Sequence, residues 1–184
     1  MTFALHVDPA IQTPVRLALG LLLLGSSWHK LRHGAHFHAA LEQYRVLPSR
    51  STRAAAAALT AAELCVGIAL FAGVAPRLAA LAAAALLGSY SAAIAVNLAR
   101  GRRDIDCGCA GPGARRPLSE GLLARNAVLI FGAALCALPS GARPLVWVDA
   151  LTVTAGVAAL ALLYAACDAA LANGARLRAA RNRA

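Results

Sequence analysis

The chain has 184 residues, of which 60% are hydrophobic, and it carries a net charge of +10 at pH 7. A mean hydropathy of +0.64 excludes an ordinary soluble domain. The positive charge does not indicate a nucleic-acid partner, because the arginines fall between apolar blocks, where they anchor membrane spans. We therefore expect the chain in a lipid bilayer, as a multi-pass protein of a bacterial inner membrane.

Five apolar blocks follow one another, at residues 13–31, 54–74, 77–98, 122–138 and 145–171. About 20 helical residues cross ~30 Å of hydrocarbon, so each block is long enough or nearly so. The fourth block is the weakest, because Arg125 and Asn126 interrupt its start. We predict an all-α fold: a polytopic transmembrane helical bundle of four to five spans. It forms one domain over residues 1–184 and ends in a basic tail at 172–184.

The first block is expected to remain as a span, because no basic segment precedes it and no small-residue cleavage pattern follows it. Most arginines lie in the first gap, the third gap and the tail. The positive-inside rule then places the N-terminus outside and these three segments in the cytoplasm. In either orientation the first and third gaps share one membrane face, because two spans separate them.

The first gap contains apolar and aromatic residues at a spacing that predicts a short helix lying in the membrane interface and ending at Pro48. We expect this interfacial helix to form a lid over the third gap. The apolar positions are Leu31, Phe37, Leu41, Tyr44 and Leu47.

The third gap contains Cys107-Gly108-Cys109. Two thiols separated by one glycine close a small ring when oxidised, and strain in such a ring makes the disulfide easier to reduce. This is the property of a redox pair rather than of a structural disulfide. Neighbouring arginines favour thiolate formation, whereas Asp104 and Asp106 oppose it.

A competing interpretation is a metal site. Two thiolates with one or two imidazoles suit zinc or copper(I), and four histidines lie on the same face as the thiols. The chain would then be a non-catalytic membrane scaffold or a copper- or zinc-binding transport component. No Cys-x-x-Cys motif is present, which favours the redox interpretation. The histidines are His29, His33, His36 and His38; the other cysteines, Cys65, Cys136 and Cys167, are interpreted as small buried hydrophobic residues.

Glu63 lies near the middle of the second span, where a carboxylate is costly. Glu63 and Tyr90 reach about the same depth, ~13 Å from the face that carries the thiols. Arg125 enters the fourth span from that face. We predict a cluster of these three residues beneath the Cys-Gly-Cys loop. A purely structural contact of Glu63 between helices is the alternative.

Three segments carry a resemblance to a known family: "LLLLGSSWHKLRHGAHFHAALEQYRVLP", "AAELCVGIALFAG" and "NLARGRRDIDCGCAG". Over residues 17–138 the chain resembles the MauE family of methylamine utilisation proteins, which belong with the DoxX-like integral membrane proteins. The resemblance implies a role in maturing an exported, disulfide-containing subunit of the methylamine dehydrogenase type. It also implies a thioredoxin-like partner, membrane-associated or exported.

The predicted arrangement is a helical bundle with a dithiol before a late span, covered by an interfacial segment after the first span. In this respect it also resembles vitamin K epoxide reductase and its bacterial relatives, which pass electrons between a thioredoxin-like domain and a quinone. By that analogy a quinone-sized pocket would involve Trp28, Tyr44 and Tyr90 with Glu63. Cys107 and Cys109 would react, with Arg125 stabilising a thiolate. Disulfide formation for an exported protein belongs outside the cytoplasm. The arginine distribution, in contrast, places the two thiols in the cytoplasm. The sequence also leaves open whether electrons pass to a quinone, to a partner protein or to no acceptor at all.

Overall fold

The computed structural model describes residues 6–108, 116–141, 143 and 146–181, with side chains of the last helix as far as Gly174. Within these ranges the fold is all-helical. Its elements are α1 (Pro9–Arg32), α2 (Gly34–Tyr44), α3 (Ser49–Ala72), α4 (Pro76–Ala99), α5 (Glu120–Ala137) and α6 (Trp147–Arg181).

Five of these helices are long and apolar enough to cross a membrane, namely all except α2. The predicted transmembrane bundle is therefore confirmed, and its uncertain fourth span is a helix of 18 residues. The polar residues that interrupt this span face neighbouring helices. Asn126 is buried and donates to Ser91 Oγ at 3.2 Å, and Arg125 reaches Asp168 of α6. Such partners make polar residues tolerable within a span.

The short helix after the first span is also present, but its end differs from the prediction. It ends at Tyr44, because Arg45 adopts a left-handed conformation with φ 47°. Pro48 instead stands immediately before α3. A proline is well placed at the start of a helix, where its missing N–H costs nothing.

Helices α1 and α3 are in close contact. A Cβ added at Gly20 would lie 3.1 Å from the backbone nitrogen of Phe71, and one added at Gly67 would lie 3.0 Å from Leu24 Cγ. Side-chain-free positions on both helices therefore let the backbones approach closely. Helix α4 packs mainly on α5, whereas α6 contacts α1 far more than it contacts α5.

The two ends of the bundle are different. One end contains α2 and the loop between α4 and α5, so the structure brings the first and third gaps together as expected. At the opposite end, Asp8 caps α1 by accepting from Ala10 N at 2.8 Å, and Arg143 bonds both Asp8 and Asp149. This cluster ties the start of α1 to the connection between α5 and α6.

Candidate functional site

The loop that carries Cys107 is held at both of its described ends. Cys107 N donates to the carbonyl of Arg116 at 2.9 Å, and Leu118 N donates to the carbonyl of Ile105 at 3.1 Å. These bonds form an antiparallel bridge between Asp106 and Pro117. Cys109, the second predicted redox residue, lies outside the described residues.

Asp106 organises this loop. Its Oδ1 accepts from the backbone N–H groups of Gly108 at 3.3 Å and Arg116 at 3.2 Å. Its Oδ2 lies 3.2 Å from Nε2 of His36 on α2. The sequence indicated Asp106 as a charge that opposes a thiolate. In the fold, this carboxylate also holds the two described ends of the loop together and lies beside α2.

Helix α2 covers the loop as the predicted lid. Phe37, Ala40 and Tyr44 form its buried face. Gly108 has φ +75°, and a Cβ there would lie 3.1 Å from Ala40 Cβ and 3.2 Å from Phe37 Cδ2. Only glycine meets both demands, a left-handed backbone and a close approach of the lid. Tyr44 donates its hydroxyl to the carbonyl of Cys107 at 3.4 Å, and Cys107 is only 7% exposed.

A cavity of about 1220 Å³ extends from Cys107 into the bundle. Its walls are mostly aliphatic side chains of α1, α4, α5 and α6, with α2 at the loop end. Along α1 it runs from His29 to Val15, which is about 21 Å at 1.5 Å per residue. Val128 of α5 and Leu163 of α6 line it and are 70% and 62% exposed, so the cavity opens sideways between these helices.

Glu63 and Tyr90 meet at the wall of this cavity, as predicted, but the cation between them is Lys30. Lys30 Nζ lies 2.5 Å from Glu63 Oε1 and donates to the Tyr90 hydroxyl at 3.2 Å. Ser26 donates to Glu63 Oε2 at 3.3 Å. The side chains of Lys30 and Glu63 are each 1% exposed. The sequence did offer a signal, because Lys30 is the only lysine among the 18 lysine and arginine residues.

Arg125 lies at a different part of the same cavity. It bonds Asp168 at 3.2 Å and the Tyr164 hydroxyl at 3.3 Å, both on α6. Arg116 also pairs with Asp168. Sequence reasoning gave Asp168 no role, because it lies near the end of a span. Two arginines on one carboxylate leave net positive charge at the cavity wall, and the structure does not join Arg125 to Glu63.

Of the three residues expected at a quinone pocket, Tyr44 and Tyr90 line the cavity and Trp28 does not. Trp28 is 55% exposed, and its ring stacks on the guanidinium of Arg32 with a centroid distance of 4.5 Å. A helix turns through 100° per residue. Trp28 therefore points away from the face of α1 that carries Ser26 and Lys30.

Three of the four histidines, His29, His33 and His36, line a narrow cleft with Lys30 and Gly108 beside the cysteine loop. His36 also lies against Asp106, whereas His38 contacts Thr52 at 3.0 Å. Among the described residues, which exclude Cys109, no three His, Cys, Asp or Glu side chains are grouped as metal ligands.

The cysteines of the apolar blocks were expected to be buried, and this is correct for only one of them. Cys136 is buried, and its sulfur donates to the carbonyl of Gln12. Cys65 and Cys167 are both exposed. Cys167 lines the cavity, whereas Cys65 does not.

Most of the chain is similar in sequence to proteins of one known family. The family model described as "Methylamine utilisation protein MauE" matches residues 4–139. The chain belongs to the MauE family. It is 41% identical over 160 residues to methylamine utilization protein MauE of Paracoccus versutus, a match that covers 85% of each chain. With the Methylophilus methylotrophus protein of the same name it shares 35% over 167 residues, 88% of this chain and 86% of the relative.

The MauE protein of Paracoccus denitrificans is 39% identical over 123 residues, and the match covers 67% of this chain and 66% of the relative, just under two thirds. No solved structure gives a significant match. Membership in this family makes the chain a multi-pass membrane protein connected with methylamine utilisation. It does not by itself assign a reaction to Cys107.

Proposed function

We propose that this MauE-family protein exchanges thiols and disulfides at the membrane. Its Cys107 and Cys109 would support maturation of an exported, disulfide-containing partner, such as a methylamine dehydrogenase-type subunit. The observation that carries the proposal is the position of Cys107. It lies under a helical lid, in a loop held by Asp106, and at the wall of a cavity that reaches into the membrane.

The exchange is balanced between the two proteins. A thiolate of the partner attacks one sulfur of the Cys107–Cys109 disulfide, so that a mixed disulfide forms and the other cysteine leaves as a thiolate. The partner's second thiolate then displaces the bound cysteine and closes the partner's own disulfide. Two electrons and two protons have moved from the partner to the pair. A thioredoxin-like protein is the class of partner that fits this step.

Positive charge on the wall of the cavity, which Cys107 also lines, supports thiolate chemistry. Arg116 and Arg125 line the cavity together with Cys107, and Asp168 neutralises only one of the two charges. Nearby cations lower the free energy of a thiolate relative to its thiol. Because the lid shields Cys107 from solvent, this effect is screened less than at an exposed site.

The cavity fits a membrane-soluble quinone as the group that reoxidises the pair. Its volume exceeds the ~300–1,000 Å³ of typical small-molecule pockets, and its length and aliphatic walls suit an isoprenoid chain. Tyr90 presents a hydroxyl group that would orient a ring oxygen, whereas Tyr44, whose hydroxyl donates to the carbonyl of Cys107, would form part of the wall beside this cysteine. When bound, such a group would supply a two-electron, two-proton acceptor.

The test is to replace the cysteines one at a time. We expect Cys107→Ser and Cys109→Ser each to abolish disulfide formation in the partner subunit, measured by alkylation and gel shift in cells. Cys65→Ser is the matched control, because its side chain is exposed on an apolar helix face and does not line the cavity. One of the two loop variants should also accumulate a mixed disulfide with the partner. Normal maturation in both loop variants contradicts the proposal.

The orientation of the pair is measured on a variant that retains only Cys107 and Cys109. Intact cells are treated with a membrane-impermeant maleimide, with and without prior reduction. Labelling that appears only after reduction identifies an outward-facing disulfide and contradicts the orientation given by the arginines. Labelling that requires permeabilised cells but no reductant identifies cytoplasmic thiols and contradicts a role in oxidising exported proteins.

A further inference from the structure

The ion pair between Lys30 and Glu63 is costly for its location. Both side chains are 1% exposed, inside two helices that span the membrane. Removing two charges from water costs several kcal/mol per ion, and well-packed apolar residues often give equal or greater stability. Simple attachment of α1 to α3 therefore explains the pair poorly, especially since Gly20 and Gly67 already bring these helices into close contact.

The pair has access to the cavity through specific atoms. Glu63, Tyr90 and Ser26 line the cavity, whereas Lys30 lies behind them. The ammonium group of Lys30 bridges two of the lining oxygens, Glu63 Oε1 at 2.5 Å and the Tyr90 hydroxyl at 3.2 Å. A hydroxyl accepts one hydrogen bond and donates another. A proton on Lys30 can thus reach a ligand in the cavity through Tyr90.

The same lysine is linked to the cysteine loop by one aromatic ring. Lys30 Nζ lies 4.3 Å from the centroid of Phe37, which belongs to the lid. Phe37 also contacts Gly108, between the two cysteines, where a Cβ would lie 3.2 Å from Phe37 Cδ2. One side chain of the lid therefore contacts both the ammonium group and the cysteine loop.

We propose that Lys30, Glu63 and Tyr90 form the proton-transfer site of this protein, serving a quinone in the cavity as Cys107 and Cys109 are oxidised. This inference rests on the proposed redox function. Closing the disulfide forms one S–S bond, breaks two S–H bonds and releases two electrons and two protons. The electrons and protons pass to the quinone, on which two O–H bonds are formed. Lys30 delivers each proton through Tyr90 while Glu63 balances its charge, and the two protons that the thiols release restore the number of protons bound by the protein.

Several titratable groups surround this site and contribute to any pH dependence. On the lid side, a narrow cleft brings Lys30 next to three imidazoles and Gly108. Across the cavity lie the charged residues of α5 and α6 and the thiol of the loop. These groups are His29, His33 and His36 near the lid, and Cys107, Arg116, Arg125 and Asp168 across the cavity.

The experiment uses the full chain in lipid nanodiscs and follows the pair in two separate half-reactions. Dithiothreitol first reduces the Cys107–Cys109 disulfide, and a short-chain quinone then reoxidises it, with the redox state read by quenched alkylation at a series of pH values. The variants are Glu63→Gln, Tyr90→Phe and the double variant Lys30→Met with Glu63→Met. Thr60→Val is the matched control. Its buried hydroxyl lies about one turn from Glu63 and donates to the carbonyl of Ala56 in its own helix.

We expect the three variants to reoxidise about 100-fold more slowly, at the lower end of the range for general acid–base catalysis. Their pH profile should flatten, and their reduction by dithiothreitol should stay unchanged. A second readout does not depend on turnover. Infrared difference spectra on adding the quinone to the reduced protein should show a change in a carboxylate band that is absent in Glu63→Gln.

Each other outcome has a definite meaning. If the double variant folds, judged by size exclusion, and keeps the native reoxidation rate and pH profile, the proton-transfer site is contradicted while thiol exchange stands. The same conclusion follows if dithiothreitol reduces the native pair normally but no quinone reoxidises it. If the native protein exchanges no thiols through Cys107 and Cys109, the proposed function itself fails.

Discussion

The interface between α1 and α3 and the interface between α5 and α6 border the same cavity, but they are built differently. Between α1 and α3, glycines at positions 20 and 67 bring the backbones into contact. Between α5 and α6, Arg125, Tyr164 and Asp168 join the helices near the loop end, and the cavity separates them below. The first interface is a close-packed wall, whereas the second is held by polar contacts at one end.

This difference matches the two tasks that the cavity would perform. A proton-transfer site needs fixed distances between its groups. Lys30 and Glu63 lie on α1 and α3, whose backbones are in close contact. A membrane-soluble ligand can enter only where two helices separate, and α6 contacts α5 only sparsely. At its other end α6 stays attached to α1, where a Cβ on Gly156 would lie 3.0 Å from Pro14.

The largest effect should come from breaking the ion pair in the close-packed wall. Lys30→Ala leaves the Glu63 carboxylate buried without a cation, and removing one partner of a buried pair costs about 3–5 kcal/mol. The double variant Lys30→Met with Glu63→Met should recover most of this loss, because no charge stays buried. Thermal unfolding in detergent measures both. Equal destabilisation in the single and double variants would show that the cost does not come from an unpaired, buried Glu63 carboxylate.

A smaller effect is expected from a methyl group at the closest approach of the same two helices. The Cβ of Gly67→Ala would lie 3.0 Å from Leu24 Cγ and 3.2 Å from the backbone nitrogen of Leu24. Overpacking of this kind costs about 1–3 kcal/mol. Gly88→Ala on α4 is the matched control, because its Cβ would meet nothing within 4 Å. The control should gain stability by up to ~1 kcal/mol from helix propensity.

If Gly67→Ala is as stable as Gly88→Ala in the same melting experiment, the α1–α3 interface is not the close-packed wall described above. The α1–α3 and α5–α6 interfaces would then not differ in how closely their helices pack. The control also separates helix propensity from packing, since both substitutions replace a helical glycine by alanine.

The interface between α5 and α6 should be destabilised when the negative charge of Asp168 is removed. Asp168→Asn weakens the contacts from Arg116 and Arg125, and we expect a cost of about 1 kcal/mol, the upper value for partly exposed ion pairs. Hydrogen exchange in detergent should show faster exchange in α6 while α1 and α3 stay protected. Thr154→Ala, exposed on the same helix, is the control. Uniform protection across all helices in Asp168→Asn contradicts a separable α6.

The helices could be predicted from the sequence because hydrocarbon thickness fixes their length. All five apolar blocks became helices, although their ends shifted. The end of the interfacial helix α2 also differs from the prediction, because a left-handed Arg45 and not Pro48 sets its boundary. The lid over Gly108 was also predictable, because two intervening spans return the chain to the same face. Both predictions depend on counting residues along the chain.

The partners of the intramembrane charges were harder to predict, because they depend on helix rotation and packing. Depth placed Glu63 near Tyr90 correctly, but it also suggested Arg125, which faces α6 instead. Lys30 looked like a boundary residue at the end of the first block, and Trp28 looked like a pocket residue. Rotation about the axis of α1 turns Lys30 inward and Trp28 outward, and hydropathy alone does not report it.

The smallest expected effect concerns the cluster that connects the two interfaces at the end far from the lid. Arg143 and the backbone N–H of Ala10 hold the pKa of Asp8 below its ordinary value of 3.8, because both stabilise the carboxylate. A lowered pKa contributes stability that is present above the ordinary pKa and is lost as pH falls through the lower value. The native melting temperature should therefore decline slightly more below about pH 4 than that of Asp8→Asn. Parallel curves for the two proteins contradict a stabilising role of this carboxylate. A difference between the two melting temperatures that shrinks toward low pH shows that the far end of α1 is fastened by charge, as α6 is fastened near the lid.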